Sequence, residues 1–430
     1  MILRLSSSAE RGALLIVAVV VAAILSYFSI RNARAAHFAG METLYGYQRA
    51  TRLEPGNPRN WYLLGHYLLY NIEEPDTASA IRAYRTALDF DPLSWQVWLD
   101  LGTAYELEGN IALARGAFVS AKKTYPLSAE VAWRYGNFLL RQGELDPAFA
   151  EIRHAVEAEP KRGAEAYSRC MRVDPDIQKI LDSVLPPLPG IYVDIIWDLA
   201  NDGQTDDALK IWNRLASLHT RIPMEDSYVL VEALRRKASY ADALRVWNQA
   251  AALAGYTNVP FPRDSAVWDG GFETGFMGGQ YAWRIPDDVR TVEMRIDSRE
   301  KHSGNYSLRM TFDGRSNLNF TGPCTIVAVQ PSTAYMFSAW VHTRALTTDQ
   351  GLRFQIRTGV PEPSVAATSD FRGNLPWTQI QMPWSSGTDI HEAQLCIIRK
   401  PSDQEDNRIQ GRAWVDDVAL IPQPAESPKP

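Results

Sequence analysis

Prolines at positions 92, 126 and 160 stand 34 residues apart, and the residues between them match in register. After Pro92 come Trp98, Leu101, Gly102, Tyr105, Gly109, Ala114, Phe118 and Ala121; after Pro126 come Ala132, Tyr135, Gly136, Leu139, Gly143, Ala148, Ile152 and Ala155. An earlier copy carries Trp61, Leu64, Gly65, Leu68, Ala80, Tyr84 and Ala87, with three extra residues around Glu73-Glu74-Pro75 that belong in a turn. Upstream, Tyr47, Ala50 and Pro55 mark the second helix of a partial copy. A chain with this period cannot be one globule, because each copy buries its apolar face only by stacking on the next. Small Gly102 and Ala114 let two helix backbones approach, Trp98, Tyr105 and Phe118 fill the space between units, and each proline ends a helix because it lacks a donor.

The pattern resembles the tetratricopeptide repeat, a pair of antiparallel helices, and the resemblance implies an α-solenoid over residues 37–255. It weakens between Lys161 and Gly190, where Pro186-Pro187-Leu188-Pro189-Gly190 must interrupt a helix. It returns in degenerate form at Gly203, Ala208 and Trp212 and at Ala243, Trp247 and Ala250. In this family the first helix of each pair builds a wall that binds peptides or partner proteins. On the register here the wall candidates are Tyr62, His66, Leu99, Trp133, Asn137 and Arg141, with Leu69, Thr103 and Glu106 beside them. The lysine- and asparagine-rich set that grips a C-terminal carboxylate in some members is missing, so that ligand is not expected. Tyr62 and Trp133 have packing as their alternative role, and Trp98, Trp212 and Trp247 are assigned to packing.

From Gly12 to Ile30 nineteen residues carry no charge, flanked by Arg4 and Arg11 before and Arg31 and Arg34 after. At about 1.5 Å per residue the run nearly matches the roughly 30 Å of bilayer hydrocarbon, and Tyr27 and Phe28 suit an interface. Residues 1–36 therefore read as a membrane anchor. A cleaved signal peptide, with Ala33-Arg34-Ala35 as its site, is one alternative, although the run exceeds the usual apolar length of such peptides; a buried soluble helix is the other, although no amphipathic face interrupts the run. The basic flanks are too even to orient it.

After Gly255 the helical period stops. Residues 256–266 read as a linker, and 267–422 alternate with period two, as in Tyr306 to Phe312, Tyr335 to Val341 and Leu352 to Ile356. Thr325–Gln330, Thr378–Met382, Gln394–Arg399 and Arg412–Ile421 are further strands, giving seven or eight and an antiparallel sandwich. Residues 423–430 read as a flexible tail. The segments WDGGFE at 268–273, HSGNYSL at 302–308, YMFSAW at 335–340 and WVDDVAL at 414–420 resemble the jelly-roll carbohydrate-binding modules of the galactose-binding-like fold. That resemblance implies a structural calcium at Glu273, the backbone of 302–304 and Asp416. Turn capping by the same carboxylates, or their pairing with Arg412, is the alternative, and Asp417, one step out of phase, should face away. Glycan binding needs exposed aromatic faces beside polar groups. Tyr281, Trp283 and Trp384, near loops or strand ends, are the candidates, while Trp340, Trp377 and Trp414 read as core.

Forty-four basic against fifty acidic residues leave a net charge of −6, which gives no general attraction to nucleic acid. Three cysteines are too few and too scattered for a disulfide scaffold or zinc site, although Cys324 and Cys396 could bridge two strands in an oxidising compartment. No P-loop, GxSxG elbow, HExxH helix or dinucleotide fingerprint occurs, and no segment remains for a catalytic domain. The expectation is a non-enzymatic, single-pass scaffold of the bacterial cytoplasmic membrane. Its repeats and sandwich lie outside, binding a protein partner and an envelope glycan in exopolysaccharide assembly or export. The alternatives are a structural adaptor with a ligand-free sandwich and an accessory subunit of a glycan-processing enzyme.

Overall fold

A glycine facing a bulky side chain sets the spacing of the helix pairs. The computed structural model describes residues 8–256, 264–285, 292–359 and 364–424; Arg4, residues 257–263 of the expected linker and 425–430 of the expected tail lie outside them. Contacts divide the chain between Ile191 and Tyr192 into two compact units.

The first unit holds α1 (Ser8–Ala39), α2 (Leu44–Leu53), α3 (Pro58–Tyr70), α4 (Thr77–Phe90), α5 (Trp95–Leu107), α6 (Ile111–Thr124), α7 (Ala129–Arg141), α8 (Leu145–Ala158), α9 (Gly163–Met171) and α10 (Ile177–Ser183). Helices α3/α4, α5/α6 and α7/α8 are the three clear repeats, each packed as a pair. A Cβ on Gly65 would lie 2.8 Å from Tyr84, one on Gly102 3.1 Å from Phe118, and one on Gly136 2.7 Å from Ile152. The bulky partners are 0–1 % exposed. Trp61 and Trp98 add a second repeated contact. Each indole N–H donates to the carbonyl of the proline six residues earlier, Pro55 at 2.8 Å and Pro92 at 2.9 Å, so that proline both ends one helix and receives the next. Asn57, Asp76, Asn110 and Ser128 cap the following helices through their side chains. The three-residue insertion falls between α3 and α4, as expected from its register.

Helix α1 is the partner that the partial repeat needs. Its 32 residues measure about 48 Å, and the apolar stretch stands exposed, Leu15 at 68 % for example. Its last turns fold back onto α2. Ala35 is fully buried there, and a Cβ on Gly46 would sit 2.4 Å from the Phe38 carbonyl oxygen. The irregular stretch after Lys161 is a shortened pair, α9 and α10. Pro186 and Pro187 do break the chain, but Pro189 opens a new helix, because its missing N–H is no loss in a first turn.

That helix, α11 (Pro189–Asn201), crosses the division. The second unit continues with α12 (Thr205–Ser217), α13 (Tyr228–Arg236) and α14 (Tyr240–Ala254), then β1 (Val292–Asp297), β2 (Ser307–Asp313), β3 (Phe320–Ala328), β4 (Ala334–Leu346), β5 (Arg353–Arg357), β6 (Val365–Ala367), β7 (Gly373–Ser385), β8 (Glu392–Arg399) and β9 (Gln410–Pro422). The strands form two antiparallel sheets, β1-β2-β9-β4-β7 and β3-β8-β5-β6. Leu308, Met310, Phe337, Val341, Phe354, Ile356, Leu395 and Val415 fill the space between them. β1 is absent from the expected strands although Val292, Met294 and Ile296 alternate there with Glu293, Arg295 and Asp297, and β6, three residues long, has no alternation to read. Cys324 and Cys396 face each other across β3 and β8 and are bonded, closing a separation of 72 residues.

Helices α13 and α14 pack on the sandwich. Trp247 of α14, fully buried, meets Trp268 at 5.1 Å and Tyr281 at 5.6 Å between ring centres, with Tyr228 stacked beside it. Gly279, at φ +83°, makes room for it: a Cβ there would fall 2.6 Å from the indole. Arg235 of α13 donates to both oxygens of Glu392 on β8.

The repeat contact yields a direct test. Gly136→Ala adds helix propensity worth about 1 kcal/mol, yet its methyl group must displace Ile152 and the nearby backbone. We expect a net loss of about 1–3 kcal/mol in urea unfolding followed by circular dichroism, partly recovered by adding Ile152→Val.

Candidate functional site

The first helices of successive pairs present the same repeat positions side by side, so residues one period apart become neighbours. Asp100 of α5 and Arg134 of α7 are one such pair, 2.8 Å apart. Asp100 is 3 % exposed and also accepts from Tyr62 at 3.1 Å and Tyr70 at 3.3 Å, with His66 Nδ1 at 3.4 Å. Burial pushes its carboxyl up, but the His66 hydrogen bond and the Arg134 charge more than offset that and hold it below its ordinary value. Burial and the Asp100 charge raise both tyrosines.

Beside this hub lies a cavity of about 280 Å³ lined by Tyr70, Thr103, Trp133, Arg134, Asn137, Arg141 and Arg169. Arg141 is held by a two-pronged bond to Glu106, both contacts at 2.7 Å. Arg169 donates to Asn137 at 2.9 Å and, with Arg162, lies 5.2 Å from the centre of the Trp133 ring. Of the six wall residues expected from the sequence, Trp133, Asn137 and Arg141 line the cavity, and Tyr62 and His66 join the Asp100 hub. Leu99 is fully buried and contributes only its carbonyl, which accepts from Arg134. Trp133 is itself 7 % exposed beneath two guanidiniums, so it presents little ring face. Asp100 and Arg134 escaped the sequence reading, although opposite charges one repeat apart were the available signal.

In the sandwich the structure gathers Glu273, the 302–306 turn and Asp416. Glu273 accepts from the backbone N–H groups of Asn305 at 2.7 Å and Tyr306 at 3.2 Å; Asp416 accepts from those of His302 at 2.8 Å, Ser303 at 3.1 Å and Asp417 at 2.8 Å. Burial pushes Asp416 up to about 6. A calcium ion needs lone pairs at these positions, whereas N–H groups occupy them. Among the described residues no group of three His, Cys, Asp or Glu side chains is arranged to hold a metal. These contacts are those of turn caps. Asp417 does not face away as its phase implied. A bulge in β9 puts it at φ +47°, and it joins the same turn, meeting His302 Nδ1 at 2.6 Å and Ser303 Oγ at 2.7 Å.

The aromatic assignments change places. Tyr281, Trp283 and Trp384 are 1, 1 and 6 % exposed, so none offers a stacking face. Tyr281 is covered by Trp247, Trp283 packs on Phe272 and donates to the Asp269 carbonyl, and Trp384 lies in the core against Tyr335. Trp340, Trp377 and Trp414 point outward instead. Trp340 alternates with inward Ala339 and Val341, and Trp414 with inward Ala413 and Val415. Trp414 is still buried, because Arg344 and His342 cover it and its N–H reaches Asp297 at 3.0 Å. Trp340 and Trp377 are half-buried, with the His302 ring stacked 3.9 Å from Trp340.

No family model matches the chain. Protein bimA of Emericella nidulans is 34 % identical over 88 residues, 20 % of this chain, and the match spans about a tenth of that relative's length. YrrB, described as a TPR protein with an unusual peptide-binding site, is similar over 50 % of this chain and 95 % of its own, at 14 % identity and a TM-score of 0.26. MamA is similar over 46 % of this chain and 90 % of its own, at 17 % identity and 0.27. A family 16 carbohydrate-binding module is similar over 36 % of this chain and 99 % of its own, at 16 % identity and 0.26.

Asp100→Ala leaves Arg134 without its buried partner and is expected to cost about 3–5 kcal/mol, read as a lower Tm of the helical signal. Because the folded carboxyl is depressed, its contribution is present above about pH 4 and disappears as pH falls through the lower folded value. The Tm gap between wild type and D100A should therefore narrow in acid. For the sandwich, EDTA and millimolar calcium are expected to leave the Tm unchanged; a clear rise with calcium would overturn the capping assignment.

Proposed function

We propose that the protein is a membrane-anchored, non-catalytic scaffold that holds a protein partner on its repeat wall and a glycan on its sandwich. Its place is the outer side of a bacterial cytoplasmic membrane, in the assembly or export of an exopolysaccharide. The observation carrying the reading is the wall cavity, which Arg134, Arg141 and Arg169 line together with polar Tyr70, Thr103 and Asn137 and the rings of Phe118 and Trp133. Such a surface suits a polar peptide segment. The apolar stretch of α1 supports the anchor: it is long enough to span and fully exposed. Burial of Ala35 against α2 favours retention, since cleavage there would remove the helix on which α2 packs. The Cys324–Cys396 bond supports an oxidising compartment.

The structural adaptor remains the second reading, favoured by the burial of Tyr281, Trp283 and Trp384. Two experiments on the full chain in detergent separate the readings. A photo-crosslinking residue at Thr103, in the cavity, should yield one protein adduct that the same probe at exposed Arg85 does not; equal labelling at both would sink the wall assignment. A glycan array should show selective binding, and a flat array with a folded sandwich would leave the adaptor.

A further inference from the structure

The two outer faces of the sandwich treat their charges differently. On the five-stranded sheet Arg295 pairs with Glu293, Arg309 with Asp297 and Arg344 with Glu300. That face is largely self-neutralised. On the four-stranded sheet Arg353, Gln355 and Arg357 of β5 share the outer side, because Phe354 and Ile356 between them fill the core. Arg357 is exposed and its Nε donates to Gln394 at 2.7 Å, directly across on β8. Arg353 donates to the Gln350 amide at 3.0 Å, and its Nε has no partner. Among the described residues neither guanidinium forms an ion pair. They stand about 13 Å apart along the strand, at roughly 3.3 Å per residue.

Arg357 also lines a cleft of about 310 Å³ with Arg235, Ile326, Glu392 and Gln394. Arg235 comes from helix α13, so helix and sheet build this cleft together. Its one carboxylate among the described residues is spent: Glu392 accepts from Arg235 through both oxygens and from Tyr281 at 2.8 Å. It therefore repels an incoming anion weakly, while among the described residues the Arg357 charge has no ion-pair partner.

We propose that this face binds an acidic polysaccharide, with one uronate carboxylate on Arg357 in the cleft and another near Arg353. The guanidinium fork matches a carboxylate in a two-pronged bond, and the amides of Gln355 and Gln394 between and beside the cations offer donors and acceptors to sugar hydroxyls. A flat row of alternating cation and amide suits an extended polyhydroxylated anion better than an acidic peptide, which has few hydroxyls for those amides. This rests on the glycan-binding reading above and names the glycan's chemical class.

Isothermal titration of the full chain in detergent tests it, with tetragalacturonate, its carboxyl-reduced neutral counterpart and tetraglutamate as probes. Tetragalacturonate should bind, more weakly as salt rises, with the other two at least about tenfold weaker. Arg357→Gln should cost about tenfold or more, and adding Arg353→Gln should abolish binding. Arg412→Gln, exposed on the other sheet, should leave it unchanged. Equal binding of the neutral tetramer, or no effect of R357Q, overturns the inference but leaves glycan binding standing. Tetraglutamate binding as tightly as the uronate would assign the face to an acidic protein. If the wider glycan array is also flat, the glycan reading itself falls, and this inference with it.

Discussion

The fit of one bulky side chain over one glycine is the constraint on which the helical half depends. Tyr84, Phe118 and Ile152 occupy the same repeat position, and each rests where Gly65, Gly102 or Gly136 has no Cβ. The close approach fixes the distance between the two helices of a pair. It also fixes the rotation of the first helix, and hence which residues reach the wall. Asp100 meets Arg134, and Glu106 meets Arg141, only because successive pairs repeat that geometry. The wall is thus a consequence of packing on its far side.

Much of this was legible because a period leaves its mark on every residue type. Pro92, Pro126 and Pro160 gave the helix ends, and the glycines gave the crossings. The wall was only half legible. Trp133 and Asn137 do line the cavity, but an isolated helix register says nothing of Arg162 and Arg169, which arrive from the segment after α8 and cover the indole. Leu99 is fully buried, because a position one step aside on the helix is already interior.

In the sandwich, alternation located strands well and misjudged aromatics. Trp340 and Trp414 were read as core because they lie in strand patterns, although Ala339 and Val415 beside them already claimed the inward phase. Trp414 is buried and Trp340 half-buried because polar neighbours, Arg344 and His302, lie over the rings, an arrangement that hydrophobicity cannot reveal. Asp417 failed differently. Alternation assumes an unbroken ladder, and the bulge in β9 turns two adjacent aspartates toward one turn. Glu273 and Asp416 did converge as the motif implied, but on N–H groups, so the sequence motif fixes a meeting point without fixing what is met there.

The packing of Trp247 beneath Gly279 changes what counts as a separable part. A cut through the segment between Ala254 and Asp264 looks harmless in sequence. It would bare the indole together with Trp268 and Tyr281, and it would strip Arg235 from a carboxylate that is largely hidden from water. The piece that can be inherited, exchanged or inserted elsewhere is therefore the sandwich with its last helix pair attached, and recombination that respected only the change from helix to strand would leave two sticky halves.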